Sequence, residues 1–188
     1  MAISNVWVFA QGADGAPTTA TQELLTKARE VSADITAFVV GEAESFAAGL
    51  GEFGATKVYA TGDLGGKLPG VAGASAMKAV IDGGDSPDII LFPQNYEGRD
   101  IVARLSVKLD KPVLTNNIEL AVQDDVVIVT TPVFGGTKLV STTFTGAGPF
   151  LVAFRPKSFV AEASGGGAPE VVAAPVTPCS CPPTSPVA

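Results

Sequence analysis

Along the first 110 residues the chain repeats one unit: a short apolar run, a turn, then a stretch with apolar residues on one helical face. Val6-Trp7-Val8-Phe9-Ala10 is the first run, followed by Ile35 to Val40, Lys57 to Thr61 and, between Pro87 and Pro93, Ile89-Ile90-Leu91-Phe92. Apolar runs this short, bounded by Gly and Pro, suit buried strands better than helices. Between them, Leu24, Leu25, Ala28 and Val31 make the inner face of a helix ending near Ser32, with Thr19 and Gln22 as a capping box. Further helices are expected over Glu42 to Leu50 and Val71 to Ile81. After Phe92 and a polar turn, Ile101, Leu105 and Leu109 recur every four residues, giving a helix one apolar stripe. Strands alternating with amphipathic helices predict an α/β fold, a mostly parallel sheet with helices on both faces.

The pattern changes at Pro112. Val113 to Leu120, Val126 to Val133, Lys138 to Thr143 and Phe150 to Phe154 are strand-like with no helix between them. Gln123-Asp124-Asp125, Gly135-Gly136 and Gly146-Ala147-Gly148-Pro149 separate them, and Gly-Gly between β-rich runs signals a hairpin. Antiparallel strands after residue 112 are therefore expected to extend the parallel sheet. From about Val160 the pattern stops. Residues 161–188 hold three consecutive glycines, six prolines, two carboxylates and no Lys or Arg, a composition that reads as a disordered linker and tail behind a domain of residues 1–160.

Charge and composition narrow the functions. The net charge is −7 and the twelve basic residues are scattered, which argues against nucleic acid or an anionic membrane as partner. There is no histidine, so Ser-His-Asp and Cys-His catalysis and His-ligated zinc are excluded. The only cysteines, Cys179 and Cys181, are one residue apart, poorly placed for a disulfide and too few for a zinc site. No apolar stretch approaches the roughly 20 residues that cross a bilayer, and Met1 leads directly into Ala2-Ile3-Ser4-Asn5 without a secretory signal. A cytoplasmic location is expected.

Four stretches invite a reading of their own. Gln11-Gly12-Ala13-Asp14-Gly15 follows the first strand but lacks the G-x-G-x-x-G spacing of a pyrophosphate loop, and reads as a plain turn. Tyr96-Glu97-Gly98-Arg99-Asp100 lies where an open parallel sheet meets its ligands or partners. Gly98 there would let a ligand or another chain approach the backbone closely, although the carboxylates also suit a helix start. Phe134-Gly135-Gly136 forms a hairpin turn whose aromatic is free to pack against another subunit. Arg155-Pro156-Lys157-Ser158-Phe159 marks the exit from the last strand.

Several of these stretches, with the opening one, carry a family resemblance. Asn5-Val6-Trp7-Val8-Phe9-Ala10, Asp88-Ile89-Ile90-Leu91-Phe92, Tyr96 to Asp100, Ala103-Arg104-Leu105-Ser106, Pro132 to Gly136 and Arg155 to Phe159 occur in the order and spacing of the N-terminal domain of the electron-transfer flavoprotein alpha subunit, which the chain resembles over about residues 1–170. The resemblance implies a Rossmann-like sheet of the adenine-nucleotide-hydrolase type. It also implies a non-enzymatic electron carrier that pairs with a beta subunit, with one FAD in the heterodimer and AMP in the beta subunit. Electrons would come from dehydrogenases such as the acyl-CoA dehydrogenases of fatty acid β-oxidation and pass to a quinone reductase or other acceptor. No residue of this chain carries over as a catalytic, metal or cofactor ligand. Tyr96, Gly98, Arg99, Phe134, Gly135 and Gly136 are expected at a subunit or domain interface instead.

The sequence departs from that family at Thr131, where Arg is usual, and at Thr137, often Asn. The tail from Val176 to Pro186 also does not look like the start of the FAD-binding domain that follows in the family, so a truncation or frameshift near Ala174 to Pro178 is expected. Two rival readings remain. One is a free-standing nucleotide-binding α/β module, opposed by the loop spacing after the first strand. The other, a small hydrolase or transferase using Asp and Lys, has no convergent residue set behind it.

Overall fold

Every residue from Val6 to Ala10 is buried on both faces at once, as a central parallel strand demands. The computed structural model describes residues 3–123 and 126–176. In chain order the strands and helices are β1 (Asn5–Ala10), β2 (Gly12–Ala13), β3 (Ala16–Pro17), α1 (Thr19–Val31), β4 (Asp34–Val39), α2 (Ala47–Glu52), β5 (Lys57–Ala60), α3 (Pro69–Asp82), β6 (Ile89–Pro93), α4 (Tyr96–Leu109), β7 (Val113–Asn117), β8 (Glu119–Gln123), β9 (Val126–Val133), β10 (Lys138–Thr143), β11 (Phe150–Phe154) and β12 (Glu170–Ala173). A 3-10 turn, Phe134–Gly136, joins β9 to β10.

Seven strands form one sheet in the order β12-β5-β4-β1-β6-β11-β7, all parallel. Strand alternation sends Val6 and Val8 into one core with Leu24, Leu25, Ala28 and Leu50 of α1 and α2. Trp7 and Phe9 enter a second core with Ala74, Met77, Ile101 and Leu105 of α3 and α4. The expected α/β class, with helices on both faces, is therefore present. Strands β10-β9-β8 make a separate antiparallel sheet, whose Leu120, Val127 and Val129 close the first core.

Local features depart from the expectations. The N-cap of α1 is Thr18, one residue early; its hydroxyl accepts from the Thr21 N–H, and Gln22 bonds the Pro17 carbonyl instead of closing a capping box. Helix α2 is shorter than Glu42 to Leu50, because Phe46 turns inward against Gly12, where a Cβ would come within 2.5 Å of the ring. The run from Val113 to Leu120 divides between two sheets. Asn116 takes a left-handed conformation at φ 66°, and the fully buried Asn117 side chain donates to the Leu114 and Ala153 carbonyls. Strand β11 is parallel and slots between β6 and β7, so among the described strands after residue 112 only β8, β9 and β10 are antiparallel.

The largest correction concerns the stretch after Val160. It forms a seated strap, and β12 adds an edge strand to the main sheet, with Val171 and Val172 opposite Val58 and Tyr59. The carboxylate of buried Glu23 accepts from the Lys157 N–H at 2.9 Å, the Thr26 hydroxyl bonds both the N–H and the carbonyl of Glu162, and the Ser164 N–H donates to the Glu52 carbonyl at 2.8 Å. Gly51 and Gly166 serve close approach: a Cβ on Gly51 would lie 2.0 Å from the Gly167 oxygen, and one on Gly166 would lie 2.3 Å from the Gly51 oxygen. The expected turn residues Asp124 and Asp125, and Cys179 and Cys181, lie outside the described residues.

A substitution separates the two roles of glycine. Helix propensity alone makes Gly51→Ala stabilising by about 1 kcal/mol, whereas the strap contact reverses the sign to a loss of about 1–3 kcal/mol. Urea denaturation reads the sign, and amide exchange at Glu162 and Ser164 should accelerate in the variant. A stabilised variant with unchanged exchange would mean the strap is not seated.

Candidate functional site

At the carboxyl edge of the sheet, the chain runs to one side of β1 through β4 and β5 and to the other through β6. Such a reversal is where open parallel sheets place ligands. A cleft of about 400 Å³ opens there, lined among others by Gln11, Gly12, Thr18, Glu42, Asn95 and Glu97. Its charged groups are two carboxylates, and no Lys or Arg lines it.

The backbone donors that would hold a phosphate are already engaged. The Thr18 side chain accepts from the Thr21 N–H, the Gly41 N–H donates to the Thr61 hydroxyl at 2.8 Å, and the Gly98 N–H donates to Asn95 Oδ1 at 2.9 Å. The loop after β1 folds on itself as a two-residue hairpin, with Asp14 at φ 52° and Gly15 at φ 78°. Asp-Gly is the residue pair that such a turn selects, so the plain turn expected here was legible in more detail than it was read. Gly12 leaves room for Phe46 and not for a ligand. These residues do not fit a pyrophosphate, and so do not fit FAD or an adenine nucleotide bound through its phosphates.

The side chains of the cleft instead tie the edge together. The Gln11 amide donates to Glu97, and the Asn95 amide donates to Gln11 Oε1. Asn95 is thus both the N-cap of α4 and a link to the residue that follows β1, a residue that the sequence reading passed over. Gly98 is buried, and the backbone that needs its missing side chain is the chain's own: a Cβ there would sit 2.1 Å from the Pro93 carbonyl oxygen.

The other expected interface residues are on the surface, on two separate elements. On α4, Tyr96 is 91% exposed, Arg99 is exposed, and Asp100 pairs with Arg104 at 2.8 Å. Phe134, Gly135 and Gly136 form the tip of the β9–β10 arm. Phe134 is 79% exposed and held at φ 51°, a left-handed conformation that is rare for a bulky residue. Thr131 donates from its hydroxyl to the Oδ1 of buried Asn117 at 2.7 Å, and Thr137 donates to the Phe134 carbonyl at 2.9 Å. Both departures from the expected family residues therefore have internal partners. Beside the tip, β10 is almost entirely exposed, Leu139 and Val140 included.

The perturbed titratable groups lie at the opposite, amino edge. Lys57 is raised, chiefly by its hydrogen bond to Asp85, which is 2.7 Å away. Burial alone would raise Asp85, but hydrogen bonds from Lys57 and Tyr59 outweigh it and hold the carboxyl below its usual value. Asp88 is likewise opposed by burial and lowered by the backbone N–H groups of Ser4 and Asn5, at 2.8 and 3.1 Å. These contacts bind the starts of β1 and β5 to the residues leading into β6, and they lie far from the cleft. Among the described residues no group of three or more His, Cys, Asp or Glu could hold a metal ion, and no helix is long and apolar enough to cross a membrane.

The family model of the electron transfer flavoprotein domain matches residues 6–178. The chain belongs to this family. Among relatives, it is 28% identical to the electron transfer flavoprotein subunit alpha of Syntrophomonas wolfei subsp. wolfei over 156 residues, covering 82% of this chain and 49% of that one. It is 26% identical to the subunit of the same name from Clostridium acetobutylicum over 163 residues, covering 82% and 48%. The chain thus spans about half the length of these curated relatives. As an electron transfer flavoprotein domain it presents an acidic cleft at the carboxyl edge, an exposed helix start and an exposed antiparallel arm.

The amino-edge carboxylates predict the acid behaviour of this domain. Because their folded pKa values are depressed, their contribution is present above the unfolded value of about 3.9 and is lost as pH falls through the folded value. Asp88→Asn should therefore lower the thermal midpoint at pH 7 and lose less than the native chain between pH 4 and 2.5. Parallel losses in both proteins would assign the acid sensitivity elsewhere.

Proposed function

We propose that this chain serves as the N-terminal, assembly domain of an electron-transfer flavoprotein alpha subunit, acting as an electron-carrier component and not as an enzyme. Its partner in this reading is the beta subunit. The heterodimer would hold FAD outside this domain, with AMP in the beta subunit, and relay electrons from dehydrogenases such as acyl-CoA dehydrogenases to a quinone reductase or other acceptor. The domain itself spans residues 1–160, with the strap that follows laid back against it as far as β12, and the protein works in the cytoplasm.

The observation that carries an assembly role is Phe134. A large aromatic in a strained conformation, four-fifths exposed at the tip of an arm, costs free energy in the isolated domain. Such outliers persist where a function uses them. Gly135 and Gly136, at φ 68° and 90°, allow the turn that presents it, and Leu139 and Val140 extend the apolar surface along β10. Tyr96 and Arg99 offer a second exposed contact, with Gly98 fixing the helix start that carries them. A nucleotide-binding module is disfavoured by the carboxylates and engaged donors of the cleft.

Co-expression with the beta subunit from the same genome should yield a copurifying complex. Phe134→Ser should weaken it about tenfold or more, in the range of interface hot spots, without lowering the thermal midpoint of the chain. The chain purified alone should show no flavin absorbance and no heat of binding with AMP or ATP. Failure to copurify, or a stoichiometric flavin on the isolated chain, would overturn the proposal.

A further inference from the structure

We infer that the groove between α4 and β7 receives an amphipathic helix of a partner chain, with an acidic residue of that helix on Arg99. The inference rests on the assembly reading above and names the chemistry of its second contact.

Four residues of α4 follow one another at spacings of three and four: Tyr96, Arg99, Ala103 and Val107. That spacing puts them along one face of a helix. All four are exposed, Tyr96 and Val107 to 91% and 84%. A helix face with no partner is ordinarily polar; here an aromatic, a valine and an alanine share it with a single cation. Beside this stripe lies a groove of about 230 Å³, lined by the apolar side chains of Val102, Ala103, Val113 and Ala153 together with Arg99 and Gln94. That is below the roughly 300–1,000 Å³ of small-molecule sites, and with roughly 30 Å³ per water it holds about eight waters. It suits one or two aliphatic side chains inserted from a neighbouring surface.

Charge selects the occupant further. The acidic neighbours of Arg99 on α4 are committed elsewhere, Glu97 to the Gln11 amide and Asp100 to Arg104. Arg99 makes no ion pair among the described residues, in a chain of net charge −7. A guanidinium beside an apolar groove complements a carboxylate flanked by aliphatic residues. The backbone of β7 argues for a helix over an added strand. Its pairing with β11 shifts register after Leu114, Asn116 is left-handed, and the Asn116 N–H already donates to the Gln94 side chain. Strand addition needs a longer regular edge, whereas aliphatic anchors of a helix need only the groove.

The test uses the full chain and, as probe, the beta subunit encoded in the same genome, with affinity measured by calorimetry at two salt concentrations. Arg99→Glu and Ala103→Glu change exposed positions and should leave the thermal midpoint unchanged while weakening binding about tenfold or more. Native binding should weaken as salt rises, and the Arg99→Glu variant should lose that dependence. If the native chain binds and both variants bind within twofold of it, the groove inference falls while the assembly reading stands. If the native chain does not bind, both fall. Self-association of the chain abolished by Ala103→Glu would make the occupant a second copy, and new amide protection confined to Val113 to Thr115 would make it a strand; either overturns the helix.

Discussion

The burial of β1 on both faces is the constraint from which the rest of this structure follows. A parallel strand in the centre of a sheet has no solvated side, so Val6, Trp7, Val8 and Phe9 each require a covering layer. Helices α1 and α2 cover one face and α3 and α4 the other. With both faces taken, only the two ends and the two edges of the sheet are left for interactions. The amino end is closed by Asp85 and Asp88. At the carboxyl end the Gln11, Asn95 and Glu97 side chains bond one another along the cleft. Exposed chemistry is thereby pushed outward, onto the first turn of α4 and onto the antiparallel arm.

Several glycines of this chain have a role that composition does not convey. Gly12 admits Phe46, Gly98 admits the Pro93 carbonyl, and Gly51 and Gly166 bring two backbones together. In each case the missing side chain makes room for another part of the same molecule. A glycine after a first strand suggests a phosphate cradle, and three in a row suggest a flexible tether. The space at Gly12 and at Gly166, the middle glycine of the three, is already filled by the chain itself.

Membership in the electron transfer flavoprotein domain family and the chemistry of the carboxyl edge point the same way. The usual ligand position of the fold holds carboxylates and spent donors, while the conformationally costly residue, Phe134, is displayed on the surface. A domain arranged in this way is suited to meet another protein surface more than to hold a phosphate.

The amino-acid pattern by itself determined the class of the fold and the positions of most strands, because a strand buried on both faces must be a continuous apolar run, and such runs are visible at Val6 to Ala10 and Ile89 to Phe92. It suggested Tyr96, Gly98, Arg99, Phe134, Gly135 and Gly136 as interface residues; in the structure Gly98 is buried and the other five are exposed. It did not reveal that β11 is parallel and lies between β6 and β7, since the order of strands depends on long-range pairing that local periodicity does not encode. Nor did it reveal the strap over residues 161–173, whose hold comes from backbone hydrogen bonds and glycine contacts between segments more than 100 residues apart. Local sequence carries the period of each element. Which backbone a glycine lets in, and which carboxylate a donor finds, was decided only when distant segments met.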